Sequence, residues 1–210
     1  MLFDFEKLSA QECYKLLVST VVPRPIAWVV TQDLEGRLNA APYSFFNVFS
    51  GEPPILVIGI GGRKPGDAKD TGQNIRETSQ FTVCLVNHDS ATSMNVTAID
   101  FPPEVDEITQ AGLTTLPSTK IRPPRIAESP VAFECERHMA IELATDRTLV
   151  LGRVVAMHVR DDCVMDAARC YIDTPKLDLV GRMHGAGWYA RTTDLYEQPR
   201  IPLGDWTLKA

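Results

Sequence analysis

The sequence predicts a mainly β fold with short helices, most simply a β-barrel to which a few helices are attached. Segments with the pattern of β-strands dominate the 210-residue chain, whereas the helical segments are few and short. The connections between the predicted strands are irregular, and a doubly wound α/β sheet would instead require regular helical crossovers. No repeat or linker divides the chain, so we expect residues 1–210 to form a single domain.

The predicted elements begin with a helix. Ser9 and Glu12 have the spacing of a capping box ahead of an apolar run, which predicts a short helix. The strand that follows, 20–31, is rich in Val, Ile and Trp, but Pro23 and Pro25 place it at a sheet edge, a bulge or a bend. The next predicted segments are a turn over 33–36, an extended stretch over 38–41 and an aromatic loop over 42–47.

The central part of the chain alternates between strands and short helical or irregular segments. A continuous apolar run over 53–60 predicts a strand that is covered on both faces. The segments after it are a short helix over 70–79, a strand over 81–87, a helical or irregular stretch over 90–113 and a proline-punctuated loop over 117–130.

The clearest periodicity lies in residues 131–143, where apolar and polar side chains alternate as in a half-buried strand. A second long strand, 148–159, is largely apolar on both faces, and a short tail follows over 181–193. In a chain of this size, strands that are apolar on both faces suggest that a second subunit covers one sheet surface.

The charge and cysteine content exclude several classes of protein. The formal net charge is −6, whereas a protein that binds nucleic acid would carry an excess of Lys and Arg. The N-terminus lacks the pattern of a signal peptide, and the longest apolar run, 53–62, is far shorter than the ~20 residues that span a bilayer. The five cysteines contain no CxxC pair, and Cys84 and Cys135 lie in apolar strands. We therefore expect a reduced, cytoplasmic protein that binds neither nucleic acid nor membrane.

Two motif-like patterns carry little weight. The run 185–190 matches the letters of a dinucleotide fingerprint, but no βαβ unit surrounds it. Glu134, Glu136 and His138 share one face of a predicted strand, and a solvated polar face explains them better than a metal site. We therefore expect no metal.

A candidate phosphate site lies at the start of the helix predicted over 70–79. A helix N-terminus offers unpaired N–H groups and the positive end of the helix dipole, so with nearby cations it can hold a phosphate dianion. Asp70 is better placed to cap the helix than to meet the phosphate. The alternative is that these charges are solvated surface groups. The residues in question are Arg63, Lys64, Lys69, Asp70, Thr71 and Asn74.

An aromatic segment precedes this site in the sequence. Tyr43, Phe45 and Phe46 are interleaved with Ser44 and Asn47. Such a segment can supply a flat apolar wall together with free backbone N–H groups, which are what a planar heterocycle needs for stacking and for its polar ring atoms. The alternative for each aromatic side chain is a place in the core.

Several separated motifs together resemble the flavin reductase-like family of FMN-binding split barrels, to which flavoredoxin belongs. Their order and spacing agree with the family over roughly residues 15–195. The matching segments are Val22–Val29, Asn39–Asn47, Lys69–Ile75 and Leu149–Val155, followed in the tail by Gly181, Arg182, Gly185, Trp188, Tyr189 and Arg191.

The resemblance implies a homodimeric split barrel that holds one FMN per subunit near the dimer interface. Residues 43–47 would line the isoalloxazine ring, chiefly through backbone groups. Lys69, Thr71 and Asn74, helped by Arg63 or Lys64, would hold the phosphate. The remaining pocket residues that it implies are Arg24, Trp28 and Thr31 at the flanks, and Arg182, His184 and Tyr189 in a tail that closes the pocket from this subunit or the other.

One position departs from the family pattern. Many reductases of this family carry Gly-Asp-His before the last long strand, and their His is thought to meet the nicotinamide, whereas this chain has Thr145, Asp146 and Arg147. The departure does not affect the predicted flavin binding, but it removes the residue that would meet the nicotinamide during NAD(P)H oxidation. His184 is a candidate substitute or a surface histidine, and Arg147 could pair with a cofactor phosphate.

Three functional hypotheses remain open. The leading one is an oxidoreductase in which bound FMN accepts a hydride from NAD(P)H, the transient reductant, and passes electrons to free flavin or another acceptor. No protein acid or base is then required, because the flavin carries out the chemistry. The second hypothesis is a flavoredoxin-like electron-transfer protein that a protein partner reduces. The third is a dimeric scaffold without a cofactor.

Overall fold

The computed structural model describes residues 1–62, 69–102 and 104–205, so the predicted ligands Arg63 and Lys64 lie outside the described residues. The helices are α1 (Ala10–Thr20), α2 (Asp70–Thr78), α3 (Ala91–Val96) and α4 (Glu107–Gln110), with 3-10 turns at Asp161–Cys163, Pro175–Leu177 and Leu203–Asp205. The strands are β1 (Ala27–Gln32), β2 (Leu38–Tyr43), β3 (Phe46–Gly51), β4 (Pro54–Gly61), β5 (Gln80–Cys84), β6 (Thr115–Leu116), β7 (Arg125–Ile126), β8 (Val131–Ala144), β9 (Arg147–Val159), β10 (Val164–Asp166), β11 (Tyr171–Ile172), β12 (Val180–Arg182) and β13 (Tyr189–Arg191).

A seven-stranded antiparallel sheet in the order β2-β1-β5-β8-β9-β4-β3 forms the body of the molecule. Its two edge strands, β2 and β3, are consecutive in the chain and are joined through Ser44 and Phe45. The Phe45 carbonyl accepts a hydrogen bond from the Gly59 N–H at 2.7 Å, which ties this junction to β4. The curled sheet is therefore a barrel that is split between β2 and β3, and the predicted mainly β fold is confirmed.

The inner face of the sheet encloses one apolar cluster. Val29, Ile58, Phe81 and Val150 contribute to it from four different strands, and Ile75 of α2 completes it. A Cβ at residue 152 would lie 2.4 Å from the Phe81 ring, so close approach at this point of β9 requires the glycine that the sequence has there.

The outer face of β1 and β5 is covered by the chain itself. Trp28 and Val30 alternate with the inward residues of β1 and pack against Met94 of α3, Ile108 of α4 and Ile126 of β7. The cover of β1 and β5 is therefore supplied by α3, α4 and β7 of the same chain, which the local sequence pattern does not reveal.

The outer face of the second half of β8 and of the facing part of β9 is different, because it is apolar and partly open. Met139 of β8 lies opposite Leu151 of β9, and Ile141 lies opposite Leu149. Met139 is 50% exposed and Ile141 is 42% exposed. We refer to Met139, Ile141, Leu149 and Leu151 as the β8/β9 patch.

The predicted alternation of burial along β8 is wrong: the first half is mostly buried on both faces, and the second half is exposed on both.

The prediction that Glu134 lies on a solvated polar face is wrong. Glu134 is 0% exposed rather than solvated. Its carboxylate accepts hydrogen bonds from the backbone N–H groups of Thr119 and Lys120, both at 2.6 Å, and lies 2.6 Å from His158 Nε2. The loop over 117–124 folds over this face of β8 and buries the charge. Glu136, by contrast, forms an exposed ion pair with Arg153 at 2.6 Å, and His138 is exposed.

The aromatic segment was predicted as a loop over 42–47, and that prediction is wrong. Its first residues belong to β2 and its last to β3, with only Ser44 and Phe45 between them. The pairing of Phe46 with Ile58 of β4 makes the second half a strand, and this pairing is non-local.

Local signals were more reliable at the N-terminus and for the thiols. The Ser9 side chain accepts from the Glu12 N–H, and the Glu12 carboxylate accepts from the Ser9 N–H, as a capping box requires. Cys84 and Cys135 are buried, and all five cysteines are free thiols. Across the described ranges, none of the helices is both long enough and apolar enough to span a bilayer.

We predict that Glu134→Gln costs about 2–3 kcal/mol in the free energy of unfolding, because one of the amide groups facing the carboxylate then meets a donor instead of an acceptor. Urea denaturation at neutral pH measures this cost. Glu136→Gln is the matched control on the same strand, and we expect a change within about 0.5 kcal/mol for this exposed pair. Equal small effects at both positions would contradict the prediction.

The same variant also tests a pH dependence. Burial acts to raise the pKa of Glu134, but the hydrogen bonds from His158, Thr119 and Lys120 outweigh it and hold the pKa below its usual value. The stabilisation from Glu134 is therefore complete above the unfolded pKa of about 4.3 and is lost as the pH falls through the lower folded value. Glu134→Gln should remove this part of the acid sensitivity.

Candidate functional site

Two adjoining cavities lie between β2, the start of α2 and the C-terminal tail. The first has a volume of about 50 Å³ and the second of about 270 Å³. Pro42, Tyr43 and Ala98 line both, so the two cavities adjoin at these residues, and we call the pair the Tyr43 trough. Lys69 and Thr71 line its first end, and Arg182 and Tyr189 line its second end.

The first end of the Tyr43 trough is the start of α2. Lys69 is the N-cap residue, and its ammonium nitrogen lies 5.7 Å from the centroid of the Tyr43 ring. Lys69 and Thr71 therefore lie close to the start of the aromatic segment, as the sequence predicts. The predicted side-chain cap by Asp70 is wrong, because Asp70 is already the first helical residue.

Two predicted ligands, Thr31 and Asn74, point away from the trough, and Thr71, which lines it, is hydrogen-bonded to the protein. Thr71 donates to Asn39 Oδ1 at 2.7 Å, and Asn74 donates to Thr31 Oγ1 at 3.0 Å. Thr71 and Asn74 are three residues apart in α2 and therefore share its buried face. Asn74 lines a neighbouring cavity instead of the trough, and Thr31 is fully buried beneath it. Thr31 and Asn74 thus anchor α2 to β1.

Trp28 does not flank the trough either. Its side chain is fully buried on the outer face of β1, and its Nε1–H donates to Thr97 Oγ1 at 2.9 Å. Thr97 and Ala98 line the first cavity. Trp28 therefore fixes the segment that forms one wall of the trough, and its own surface is not available to a ligand.

Arg24 is buried and joins three distant parts of the chain. Its guanidinium donates to the Val18 and Val21 carbonyls at the end of α1, to the Met183 carbonyl in the tail, and to Ser44 Oγ. Burial is the main cause that lowers the pKa of Arg24 below its usual value. Because it holds the end of α1, the tail and Ser44 together, Arg24 positions the walls of the trough.

The tail forms the second end of the trough in the same subunit. The Arg182 guanidinium lies 4.7 Å from the centroid of the Tyr189 ring and donates to the Gly185 and Ala186 carbonyls. Gly185 has φ +63°, the left-handed conformation that glycine adopts readily, so the fingerprint-like letters mark a turn between β12 and β13.

His184 does not line the trough. Its ring stacks on the exposed Trp188, with the ring centroids 5.9 Å apart. Arg147 is also remote: it is exposed at the start of β9, beside Gly61 of β4, and lines neither cavity of the trough. Among the described residues that line the two cavities, there is no histidine.

The predicted aromatic wall divides at Ser44. Tyr43 and Ser44 line the trough, whereas Phe45, Phe46 and Asn47 line a separate cavity of about 310 Å³ beneath α1. Ser44 lines both cavities. The division follows from the sharp change of direction between β2 and β3, which sends consecutive side chains to different surfaces.

Asn39 and Glu107 are the polar residues that the site gains from the tertiary structure. Asn39 begins the segment 39–47 that resembles the family, but the sequence predicts no role for its side chain, and Glu107 has no sequence signal because it lies in the irregular segment 90–113. Glu107 accepts from Asn39 Nδ2 at 2.8 Å and from the Ala40 N–H at 3.2 Å. Burial raises the pKa of Glu107, and the Asp70 carboxylate acts in the same direction.

Comparisons with known proteins show the family and the fold of this chain. Residues 18–174 match the flavin reductase like domain. A protein of Deinococcus radiodurans is 41% identical over 97% of this chain and 91% of its own length. The crystal structure of nitrilotriacetate monooxygenase component B from Bacillus cereus superposes with a TM-score of 0.88 at 31% identity, covering 94% of this chain and 98% of that one. Pseudomonas fluorescens 2-nitrobenzoate 2-nitroreductase gives 0.87 at 33% identity, covering 97% of both chains.

The fold and the matched domain define a flavin oxidoreductase with a split barrel. The chain belongs to the flavin reductase-like family. The Tyr43 trough suits a flavin, because it combines a lysine at a helix N-terminus with tyrosine rings and a guanidinium along its walls.

Proposed function

We propose that the protein is an FMN-dependent NAD(P)H:flavin oxidoreductase that passes electrons to free flavin or another acceptor. The observation that carries this proposal is that Lys69 at the start of α2 and the pair of Arg182 and Tyr189 in the tail line adjoining cavities that share Tyr43. One end suits a phosphate, and the other suits a planar ring. Free thiols at all five cysteines support the reducing, cytoplasmic setting that we also propose.

Each end of the trough has a separate task in this proposal. Lys69 and the amide groups that open α2 bind the phosphate through charge and hydrogen bonds. Tyr43, Ser44 and the stacked pair of Arg182 and Tyr189 bind and orient the ring. A bound flavin supplies the redox chemistry, so the protein contributes position and polarity and needs no acid or base of its own.

A second candidate function is flavoredoxin-like electron transfer without direct oxidation of NAD(P)H. The observation that favours it is the absence of histidine among the residues that line the two cavities of the trough, together with the remote positions of His184 and Arg147. A protein donor would then replace the nicotinamide as the reductant.

We also propose that the protein is a homodimer in which the β8/β9 patch forms part of the interface. Met139, Ile141, Leu149 and Leu151 form a contiguous apolar surface by their register. Unlike the outer face of β1, the β8/β9 patch is left open by the described part of the chain. Contiguous exposed apolar surface of this kind is typical of an interaction site.

The reductase proposal predicts that FMN-loaded protein is bleached by NADH or NADPH under anaerobic conditions at about 1 s⁻¹ or faster, within the usual range of enzyme turnover. Stopped-flow absorbance in the visible flavin band measures the rate. Slow bleaching by both nicotinamides with rapid reduction by a ferredoxin-like donor would instead support electron transfer. A colourless protein that takes up no FMN on titration would contradict both functions.

The phosphate assignment predicts that Lys69→Ala weakens FMN binding by about 1.5–3 kcal/mol, the value of a charge-assisted hydrogen bond. Riboflavin lacks the phosphate, so its affinity should be nearly unchanged by the same substitution. Fluorescence titration of both ligands measures the difference, and Lys15→Ala on the exposed side of α1 is the matched control. Equal losses for FMN and riboflavin would show that Lys69 acts elsewhere.

The dimer proposal predicts a sedimenting mass of twice the chain mass of 23.3 kDa. Ile141→Glu places a charge in the β8/β9 patch and should yield a folded monomer, because burying an unpaired carboxylate is costly. Leu195→Glu, in the exposed tail, is the control and should remain dimeric. A monomeric unaltered protein at micromolar concentration would contradict the proposal.

A further inference from the structure

A series of buried hydrogen bonds, which we call the hydrogen-bond chain, runs behind the first end of the Tyr43 trough. Thr71 Oγ1 lies 2.7 Å from Asn39 Oδ1, and Asn39 Nδ2 lies 2.8 Å from Glu107 Oε1. The other carboxylate oxygen accepts from the Ala40 N–H. Thr71, Asn39 and Glu107 are 1%, 8% and 5% exposed, and all three line the first cavity. The edge strand β2 is thus joined through side chains to α2 and α4.

The charge on Glu107 decides which group donates and which group accepts in each bond of the hydrogen-bond chain. An ionised carboxylate can only accept, so Asn39 must turn its amide NH₂ toward Glu107 and its carbonyl oxygen toward Thr71. Thr71 must then donate its one hydroxyl hydrogen to Asn39. Toward the cavity, the Thr71 oxygen has only lone pairs left, and lone pairs do not bind a phosphate oxygen.

Protonation of Glu107 permits the opposite direction. A protonated carboxyl can donate to Asn39 Oδ1 once the Asn39 amide has rotated by half a turn, and its other oxygen still accepts from the Ala40 N–H. Asn39 then donates to Thr71, and the Thr71 hydroxyl hydrogen is free to rotate toward the cavity. In both arrangements each contact between Thr71, Asn39, Glu107 and the Ala40 N–H keeps one donor and one acceptor, so the reversal leaves none of these hydrogen bonds unmade.

We propose that Glu107 is a positioning residue for the phosphate end of the trough: it takes up one proton when a flavin phosphate binds, and the reversed chain makes Thr71 a donor to that phosphate. This inference rests on the proposed function and goes beyond it, because it couples binding to pH. The proton comes from solvent and forms an O–H bond on the Glu107 carboxylate, and no other covalent bond changes.

Electrostatic effects also favour the protonation of Glu107 when a phosphate binds. A dianionic phosphate beside a buried carboxylate disfavours the ionised form of Glu107. Burial already raises the pKa of Glu107, and the bonds from Ala40 and Asn39 offset only part of that effect. Arg37 is paired with Asp33 and Glu35. The charged groups that line the cavities around Glu107 or adjoin it in α4 are Asp33, Glu35, Arg37, Lys69, Asp70, Glu77, Asp100 and Asp106.

The test is to measure the affinity of the full chain for FMN and for riboflavin between about pH 6.5 and about pH 8.5. This range lies above the second ionisation of the phosphate, which has a pKa of about 6. For the unaltered protein, FMN affinity should rise by up to about tenfold for each unit that the pH falls, because one proton is taken up. Riboflavin affinity should not change. Calorimetry in two buffers of different ionisation enthalpy should give about one proton taken up per FMN and none per riboflavin.

Glu107→Gln isolates the group that titrates. A glutamine amide can accept from Ala40 and donate to Asn39, so it holds the chain in the reversed direction at every pH. We expect FMN affinity at pH about 8.5 to be about tenfold or more above that of the unaltered protein, without a pH slope. Glu77→Gln removes the same charge from the neighbouring cavity and should keep the slope.

Thr71 supplies a second and independent pair of variants. Thr71→Val should lose the tightening of FMN at low pH, and Thr71→Ser, which keeps the hydroxyl, should restore it. An FMN affinity that is flat with pH in the unaltered protein, or a slope that survives in Glu107→Gln, would overturn the inference while leaving the proposed function intact. Failure of both flavins to bind at every pH would contradict the proposed function itself, and the inference with it.

Discussion

The Tyr43 trough depends on one buried guanidinium. Arg24 lies inside the protein and donates to Val18 and Val21 at the end of α1, to Met183 in the tail, and to Ser44 between the two edge strands. A guanidinium has five N–H donors in a rigid fork, so it can hold several carbonyls at once. These acceptors come from segments far apart in the chain. The N-terminal helix, the split in the barrel and the wall of the trough are therefore positioned by one side chain.

A second constraint arises at the first end of the trough. Strand β2 lies at an edge of the sheet, where its amide groups need partners from outside the ladder. Glu107 of α4 meets the Ala40 N–H and, through Asn39, reaches Thr71 in α2. The requirement to satisfy this strand edge thus places a buried carboxylate in the same cavity as Lys69.

The sequence predicted the parts of the fold and site that depend on local chemistry. The capping box of α1, the mainly β character of the chain and the proximity of Lys69 to Tyr43 could all be inferred from residue spacing and from the family resemblance. The errors lie where distant segments meet. Trp28 was placed beside the cofactor but is buried on the outer face of β1, and Glu134 was expected in solvent but lies beneath a loop. Neither burial can be inferred from strand alternation, because the covering segment is remote in sequence.

The amino-acid sequence by itself determined the class of fold, the helix start with its lysine and the aromatic motif, because propensity, capping and spacing act over a few residues. Only the tertiary structure decided which of these residues share a cavity. It divided the aromatic segment at Ser44, turned Thr31 and Asn74 into anchors of α2 and brought Glu107 to the site. The physical reason is that hydrogen-bond partners and burial are set by packing between segments, and the curling of the sheet brings those segments together.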